Sequence, residues 1–392
     1  MKMAGPLLFV SLLLISSGVA MNATKDAAKD EYLLFVGTYT GKESKGIYAF
    51  RFDTTSARLA PLGLVAETPN PSFLAVDPRG RFLYAVNELE KYQGEPSGSI
   101  SAFAIDQKSG RLSLVNQVSS RGTDPCYVSL DNSGRYVFVA NYGSGSVAVF
   151  PVLKDGSLGE AASFVQHSGS GPDRDRQQGP HAHWIGVTPD NRFVMSADLG
   201  TDKVLAYRLN DNNGGLSAND PAFVKVEAGS GPRHVDFHPN GRFAYVLSEL
   251  YSTMTVFSYD SEHGALQLLQ SVATVPGGFS GINHPAEIRV HPNGRFVFVS
   301  NRGHDSIAVF SIVQNKGTAS LVGHFSTHGR KPRNFEIDPS GSRLFVANQD
   351  SNNIVIFDID LATGRLTTIG QVLQVDSPVC VKFMALASTK TH

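Results

Sequence analysis

The sequence has few groups that could cross-link a small domain. Only two cysteines, Cys126 and Cys380, occur in 392 residues, and they lie in distant parts of the chain. Because a disulfide needs two closely approaching Cα atoms, we predict that these thiols do not pair. A chain of this length buries enough apolar surface to fold without disulfides or a structural metal.

The sequence also lacks an excess of charge of either sign, and it lacks the signature motifs of several enzyme classes. The formal net charge is −1, so the chain lacks the electrostatic footprint for nucleic acid or an anionic membrane, and we expect neither as a partner. It contains no phosphate-binding glycine loop before a helix, no nucleophile elbow and no dinucleotide fingerprint. These absences argue against a kinase, a serine hydrolase or a dehydrogenase, and we predict no cofactor.

The one long apolar run lies at the N-terminus, in residues 7–15. It is too short to span a bilayer. Lys2 precedes it and the small residues 18–20 follow it, which is the pattern of a secretory signal peptide. We therefore predict a signal peptide at 1–20, a flexible lead-in at 21–30, and export of the mature chain to the periplasm or the extracellular space.

One sequence motif, which we call the repeated phrase, recurs six times along the chain. It consists of a turn, a glycine, an arginine, and then an alternating strand that ends in Asn, Asp or Ser. The fourth residues of the copies lie 47 to 57 positions apart and are Gly80, Gly134, Asn191, Gly241, Gly294 and Gly341. A period near fifty that is built of short strands is typical of β-propeller blades. Each repeat holds four β-rich runs without helical periodicity, which we name A to D in chain order.

The two chain ends supply a seventh blade. Residues 33–36, 46–52 and 60–65 resemble strands B, C and D that have no strand A, and residues 378–383 resemble a strand A that has no B. Pairing the two ends closes the ring and removes exposed sheet edges. We therefore predict an all-β fold, a single seven-bladed β-propeller of four antiparallel strands per blade over residues 31–386, followed by a tail at 387–392.

Polar residues concentrate at one mouth of the predicted central channel. The start of strand A and the end of strand B meet there, because the two strands are antiparallel. The candidates before strand A are Asn70, Cys126, His181, His183, Arg233, His234, His284, Glu287 and Arg333. Those after strand B are Asn87, Glu88, Asn141, Asp198, Glu249, Asn301, Arg302, Asn348 and Gln349. Functional groups gathered at one end of a rigid scaffold indicate a binding or catalytic site.

Some of the repeated polar residues have a simpler structural interpretation. Three strand-end residues are interpreted as turn formers that bond their own backbone: Asn87, Asn141 and Asn348. Arginines that recur at one position of the repeat are interpreted as structural: Arg81, Arg135, Arg192, Arg242 and Arg295. His181 and His183 could be two zinc ligands on one strand face, but no further ligand at fixed spacing accompanies them, and we predict no metal site.

Seven short motifs follow one another in the order of a known family. They are Gly179-Pro-His-Ala-His183, Asp198-Leu-Gly-Thr-Asp202, Gly231-Pro-Arg-His234, Ser248-Glu-Leu250, Ser300-Asn-Arg-Gly-His-Asp305, Lys331-Pro-Arg-Asn-Phe335 and Asn348-Gln-Asp350. This series resembles the propeller-type lactonases, which include bacterial 6-phosphogluconolactonases and fungal carboxy-muconate lactonising enzymes. The resemblance covers nearly all of the mature chain and implies a seven-bladed propeller that acts on a small-molecule lactone.

The resemblance also implies a catalytic set of one His, two Arg and one Glu. It corresponds here to His181 or His183, with Arg233, Glu249 and Arg302. Lactone opening needs a base that activates water and a donor that stabilises the oxyanion. We assign Glu249 as the base, with either histidine as the alternative, and Arg233 as the oxyanion donor.

The remaining predicted site residues bind the substrate. Arg302 and Arg333 are expected to hold a phosphate or carboxylate, because a guanidinium presents a fork of donors that suits either group. The other predicted substrate-binding residues are His234, His284, Asp198 and Asn301.

Three alternatives to a sugar lactonase stay open at this stage. The first is a propeller that binds a partner without catalysis. The second is a lactonase or cycloisomerase for a carboxy-muconate-type lactone. The third is a metal-dependent lactonase, which a chelator would inactivate. The predicted export signal adds a question about the substrate, because phosphorylated sugar lactones are cytoplasmic metabolites.

Overall fold

The computed structural model describes Met1, residues 31–41 and residues 43–386. Apart from Met1, the predicted signal peptide, the lead-in and the tail at 387–392 lie outside the described residues and stay predictions. No helix in the described part of the chain is long and apolar enough to cross a membrane.

The described residues form seven antiparallel sheets of four strands each. The first fourteen strands are β1 (Glu31–Thr38), β2 (Gly46–Asp53), β3 (Arg58–Glu67), β4 (Leu74–Val76), β5 (Phe82–Asn87), β6 (Ser99–Ile105), β7 (Leu112–Ser119), β8 (Pro125–Leu130), β9 (Tyr136–Asn141), β10 (Ser146–Pro151), β11 (Ser163–Gln166), β12 (Ala182–Val187), β13 (Phe193–Asp198) and β14 (Lys203–Leu209). The others are β15 (Leu216–Lys225), β16 (Pro232–Phe237), β17 (Phe243–Ser248), β18 (Thr253–Asp260), β19 (Ala265–Ala273), β20 (His284–Val290), β21 (Phe296–Arg302), β22 (Ser306–Ile312), β23 (Ala319–Ser326), β24 (Pro332–Ile337), β25 (Arg343–Asn348), β26 (Asn353–Ile359), β27 (Leu366–Gln374) and β28 (Pro378–Ala385). A single 3₁₀ turn, Gln349–Ser351, is the only helical element among the described residues.

The ring closes as the sequence predicts. The C-terminal strand β28 pairs with β1, so that the first sheet has the order β28-β1-β2-β3. The first strands of neighbouring blades, β28, β4, β8, β12, β16, β20 and β24, contact one another in a complete circle around the channel. The fold is therefore a seven-bladed β-propeller. Cys126 and Cys380 are both buried free thiols, in agreement with the prediction that they do not pair.

The repeated phrase builds the turn between the first and second strands of a blade. In the second copy, Asp131 Oδ1 accepts the backbone N–H of Arg135 at 2.7 Å and of Tyr136 at 2.8 Å. Gly134 has φ 72°, a left-handed conformation that glycine adopts without strain. The Arg135 guanidinium lies 5.6 Å from the centre of the Tyr136 ring. Arg81, Arg192, Arg242 and Arg295 stack in the same way on the aromatic residue that follows each of them, so their structural interpretation is confirmed.

A β-bulge interrupts the pairing of the first strand with the second near one mouth of the channel. The register shifts in six of the seven blades. In four of them the extra residue is Cys126, His183, Arg233 or Arg333. Because a bulge redirects a side chain and is common beside active sites, these positions point to the functional end of the propeller.

Candidate active site

A cavity of about 270 Å³ opens at this mouth, and we call it the axial cavity. Its lining residues are Tyr39, Glu88, Cys126, Tyr142, Arg176, His183, Arg233, Glu249, Arg302 and Arg333. Four of them occupy the bulge of a first strand, and five lie at or directly after the end of a second strand. Arg176 alone comes from a loop, the one that joins β11 to β12.

Glu249 is the centre of the cation cluster in this cavity. Its Oε2 accepts hydrogen bonds from Arg233 Nη1 at 2.6 Å and Arg302 Nη2 at 2.9 Å, and its Oε1 accepts one from Arg176 Nη2 at 2.8 Å. Burial alone would raise the pKa of this carboxyl, but the charges of Arg302, Arg233 and Arg176 hold it well below its usual value. Glu249 is therefore an ionised carboxylate throughout the neutral pH range.

The axial cavity carries more positive than negative charge. Four arginines line it, against two carboxylates, those of Glu249 and Glu88. Burial, together with repulsion from the nearby Arg233 and Arg333, lowers the pKa of Arg302 to about 9 against the attraction of Glu249. Such a cluster favours the arrival of a further anion.

His183 is neutral, and its basic nitrogen is already occupied. Burial and the adjacent Arg233 lower its pKa well below the usual value. Its Nε2 lies 2.5 Å from Arg233 Nη1 and can only accept there, because a guanidinium only donates. Its Nδ1 lies 3.6 Å from Cys126 Sγ.

His181 is not one of the lining residues, and it keeps a free basic nitrogen. Its Nδ1 donates to the backbone carbonyl of Tyr142 at 2.9 Å, which leaves Nε2 without a proton in the neutral ring. Its ring stacks on Tyr142, with the centroids 4.5 Å apart. Within the described part of the chain, no three His, Cys, Asp or Glu side chains come together in a way that could hold a metal ion.

The opposite wall of the axial cavity combines a cation, a hydroxyl and a carboxylate. Arg333 Nη2 donates to the Tyr39 hydroxyl at 2.7 Å, and its guanidinium lies 5.1 Å from the centre of the Tyr39 ring. The Tyr39 hydroxyl donates to both oxygens of Glu88, at 2.9 and 3.0 Å. This mixture of donors and acceptors suits a ligand that has both hydroxyl and anionic groups.

His234 lies one layer beneath the cavity floor. Its ring centroid is 5.2 Å from that of His183, and its Nδ1 lies 3.0 Å from Glu287 Oε1. Arg289 Nη1 donates to the same oxygen at 2.8 Å. The sequence predicts that His234 binds substrate, whereas the structure places it in a buried ion-pair cluster below the lining residues.

His234 should make the stability of the fold sensitive to acid. Burial lowers its pKa to about 4, against the opposing attraction of Glu287. Between pH 6.5 and 4 the unfolded chain therefore binds this proton more readily, and the free energy of unfolding falls as the pH falls through that window, by about 3 kcal/mol. We expect His234→Gln to have a shallower dependence than the wild type in urea unfolding at pH 7, 5.5 and 4.5.

The matched control for this prediction is His263→Gln, because the side chain of His263 is 65% exposed. It should keep the wild-type dependence. Equal slopes for the wild type and His234→Gln would contradict the assignment. Other groups that titrate in this range contribute to all three proteins, so the difference between variants isolates the histidine.

Three further residues that were predicted to bind substrate lie beside the cavity. Asn301 is fully buried, and it bonds Thr274 through Oδ1 at 2.8 Å and through Nδ2 at 2.7 Å. Asp198 is also fully buried, and its Oδ2 lies 2.6 Å from His167 Nδ1. His284 supplies its backbone carbonyl to Arg302 Nε at 2.8 Å. The side chains of Asp198 and Asn301 therefore hold the surrounding loops and lie outside the lining.

The strand-end asparagines are structural, but they do not bond their own backbone as the sequence predicts: each donates to a carbonyl 18 to 21 residues earlier. The Nδ2 of Asn87 donates to the Pro69 carbonyl at 2.6 Å, and that of Asn141 to the Ser120 carbonyl at 3.0 Å. Asn348 is buried in the equivalent place. All three fasten the loop that enters the blade.

Three lining residues are absent from the candidates that the sequence predicts: Tyr39, Tyr142 and Arg176. Tyr39 and Tyr142 directly follow a second strand, in the place that Glu249 takes in its own blade. Alignment of the repeats with the blade of Glu249 could therefore have identified both tyrosines as lining residues. Arg176 gave no such signal, because the loop that carries it has no counterpart in the repeated phrase.

Comparison with known proteins connects this site to one family. The family described as "Lactonase, 7-bladed beta-propeller" matches residues 33–383. The 6-phosphogluconolactonase of Bacillus subtilis is 40% identical over 90% of this chain and 99% of its own length. That of Formosa agariphila is 38% identical over 88% of this chain and 97% of its own. The structure of the periplasmic gluconolactonase of Pseudomonas aeruginosa, 38% identical, superposes with a TM-score of 0.85 over 91% of this chain and all of its own.

Proposed function

Because the chain belongs to the lactonase family of seven-bladed β-propellers, we propose that its axial cavity hydrolyses a sugar lactone that carries an anionic group, such as 6-phosphogluconolactone. The observation that carries the proposal is the positive excess of the cavity, where four arginines face two carboxylates. A phosphate dianion complements this charge, and the Glu88 and Tyr39 wall offers partners for the sugar hydroxyls.

In the proposed reaction, Glu249 takes a proton from a water molecule as the water oxygen attacks the lactone carbonyl carbon. Arg233 stabilises the oxyanion of the tetrahedral intermediate. Collapse of the intermediate breaks the bond between the carbonyl carbon and the ring oxygen, and the ring oxygen takes the proton from Glu249. The product is the open-chain hydroxy acid, so atoms and charge balance.

Glu249 is a better candidate for the base than either histidine of the predicted set. It is ionised, and its Oε1 is held by a single, partly exposed guanidinium. The basic nitrogen of His183 accepts from Arg233, and His181 is not one of the lining residues. The two arginines on Oε2 fix the orientation of the carboxylate toward the cavity.

A second candidate substrate is an unphosphorylated sugar lactone. It is favoured by the predicted export signal, which would separate the enzyme from phosphorylated sugars, and by the similarity to a relative that is a periplasmic gluconolactonase. Export of this chain is part of that proposal. The positive charge of the cavity would then stabilise the oxyanion and bind the carboxylate of the product.

The test compares initial hydrolysis rates of 6-phosphogluconolactone and plain gluconolactone, with a chelator present and spontaneous opening subtracted. We expect kcat/KM to be about 10- to 100-fold higher for the phosphorylated lactone, because one or two charge-assisted hydrogen bonds to phosphate separate the two substrates. Equal values would favour the unphosphorylated substrate. No acceleration of either would favour a propeller that only binds, and loss of activity with chelator would favour the metal-dependent alternative.

A further inference from the structure

Arg176 is carried by a long loop, residues 167–181, which we call the Arg176 loop. One buried carboxylate fastens both ends of it. Asp198 Oδ2 lies 2.6 Å from His167 Nδ1 at the first end, and Asp198 Oδ1 accepts the backbone N–H of His181 at 3.0 Å at the last. His167 is held in turn by the Tyr207 hydroxyl, 2.9 Å from its Nε2.

The middle of the Arg176 loop is fastened as well. Gln177 Nε2 donates to the Leu199 carbonyl and to Asp202 Oδ1, both at 2.7 Å. Asp173 Oδ1 accepts the backbone N–H of Arg176 at 2.9 Å. The backbone of the loop is thus held by a bond within it and by bonds to Asp198, Leu199 and Asp202, and none of these involves the Arg176 side chain.

The Arg176 guanidinium itself has few contacts. It donates to Glu249 Oε1 at 2.8 Å and to the Tyr142 hydroxyl at 3.2 Å. Its side chain is 34% exposed, against 4% for Arg233 and 10% for Arg302. Of the three arginines on Glu249, it is the one that can leave the carboxylate without unpacking the cavity wall.

We propose that Arg176 binds the anionic group of the substrate by exchanging it for Glu249, and that the exchange frees Glu249 Oε1 for the attacking water. This inference rests on the proposed lactonase function. Before substrate arrives, Arg176 occupies Oε1, while Arg233 and Arg302 occupy Oε2. When the guanidinium turns to a phosphate or carboxylate, Oε1 loses its partner and Oε2 keeps both of its own, so a single oxygen becomes available as proton acceptor.

The exchange couples recognition to activation. A lactone that carries an anion both gains an anchor and uncovers the base, whereas a neutral lactone leaves Arg176 on Glu249. The substrate anion is therefore expected to act on kcat as well as on KM. A guanidinium that served only as an anchor would discriminate through KM.

The experiment compares the wild type with Arg176→Ala on the phosphorylated and the plain lactone. We expect the wild type to have a higher kcat on the phosphorylated lactone. In Arg176→Ala, KM for that lactone should rise about 10- to 100-fold, and kcat for the plain lactone should increase toward that for the phosphorylated one, so that the two kcat values converge. Arg174→Ala is the matched control, because Arg174 is an exposed arginine of the same loop, and it should behave as the wild type.

A fall in kcat by the same factor on both lactones would overturn the exchange and leave Arg176 as a residue that only supports the cavity. Unchanged constants would also overturn it. A binding measurement separates this inference from the proposed function: calorimetry with 6-phosphogluconate, the open-chain acid, requires no turnover. If neither lactone is hydrolysed, the proposed function fails, and affinity about 10-fold weaker in Arg176→Ala still supports the anion contact, whereas equal affinity overturns it.

Discussion

Replacing Glu249 with Gln should lower kcat for lactone hydrolysis by about 10²- to 10⁴-fold and change KM little. Gln keeps the shape and the hydrogen-bonding oxygen of the side chain but cannot take a proton from water, and a positioned general base contributes a factor of this size. Arg302 and Arg233 keep the pKa of Glu249 well below its usual value despite burial. We therefore expect no loss of rate from protonation of this group between pH 5 and 8 in the wild type.

The same substitution should also destabilise the fold. Arg233 and Arg302 would stay buried without a counter-ion, and breaking a buried ion pair costs about 3–5 kcal/mol. Circular dichroism and a thermal melt must therefore accompany the kinetics. Glu249→Asp is the second variant: it keeps the charge, should retain more of the stability, and should still lose rate because its oxygens are withdrawn from the reacting water.

Glu262→Gln serves as the matched control, since Glu262 is an exposed glutamate on a surface turn. It should leave kcat and stability unchanged. A folded Glu249→Gln protein with wild-type kcat would remove Glu249 as the base. His181, whose Nε2 carries no proton in the neutral ring, would then be the next candidate.

The fold was predictable because the same turn-and-strand motif occurs six times in the sequence. Five of the six copies place an acid or histidine before the turn, and the third places Thr188 there. Asp131 shows why a hydrogen-bond acceptor is needed: its carboxylate holds the backbone of the turn. The incomplete runs at the two ends predicted the closing pair of β28 and β1, which the structure confirms. Repetition thus compensates for the weak signal of any single short strand.

The side chains that face the axis were harder to predict, because a β-bulge in the first strand determines which residue faces the cavity. His183, Arg233 and Arg333 each lie eight residues before the fourth residue of the repeated phrase in their blade, which we call the repeat residue. The neighbours His181 and His234 do not, and neither of them lines the cavity. The distance from the repeat residue therefore distinguishes His183 from His181 and Arg233 from His234. The distance from the start of the strand leaves all four as candidates.

The fully buried residues at the ends of the second strands follow the same count. Asp198 and Asn301 occupy the position of Asn87, Asn141 and Asn348, seven residues after the repeat residue, and they hold loops as those do. In four of the six copies the next residue in the chain lines the cavity, namely Glu88, Tyr142, Glu249 and Arg302. A loop residue such as Arg176 lies outside this register, so only the folded structure brings it to Glu249.

Arg233→Met should lower kcat by about 10²- to 10³-fold, the loss that follows removal of one oxyanion donor. Arg233 occupies a bulge, and its guanidinium contacts Glu249, His183 and the Ala286 carbonyl, the last at 2.8 Å from Nε. Met fills a similar volume without charge, so substrate binding should change less than turnover. Arg233→Lys should recover part of the rate, because an ammonium restores the charge but cannot reproduce a planar fork with three fixed partners.

A second readout follows from the histidine that Arg233 faces. After burial, Arg233 is the largest cause of the low pKa of His183. Removing its charge should raise that pKa toward the usual value, which NMR titration of the His183 ring can detect. Arg295→Met is the matched control: Arg295 stacks on Phe296 and donates to the Leu361 carbonyl at 2.9 Å, away from the cavity. If Arg233→Met raises KM and keeps kcat, Arg233 binds the ground state, and the oxyanion role passes to Arg302 on the same Glu249 oxygen.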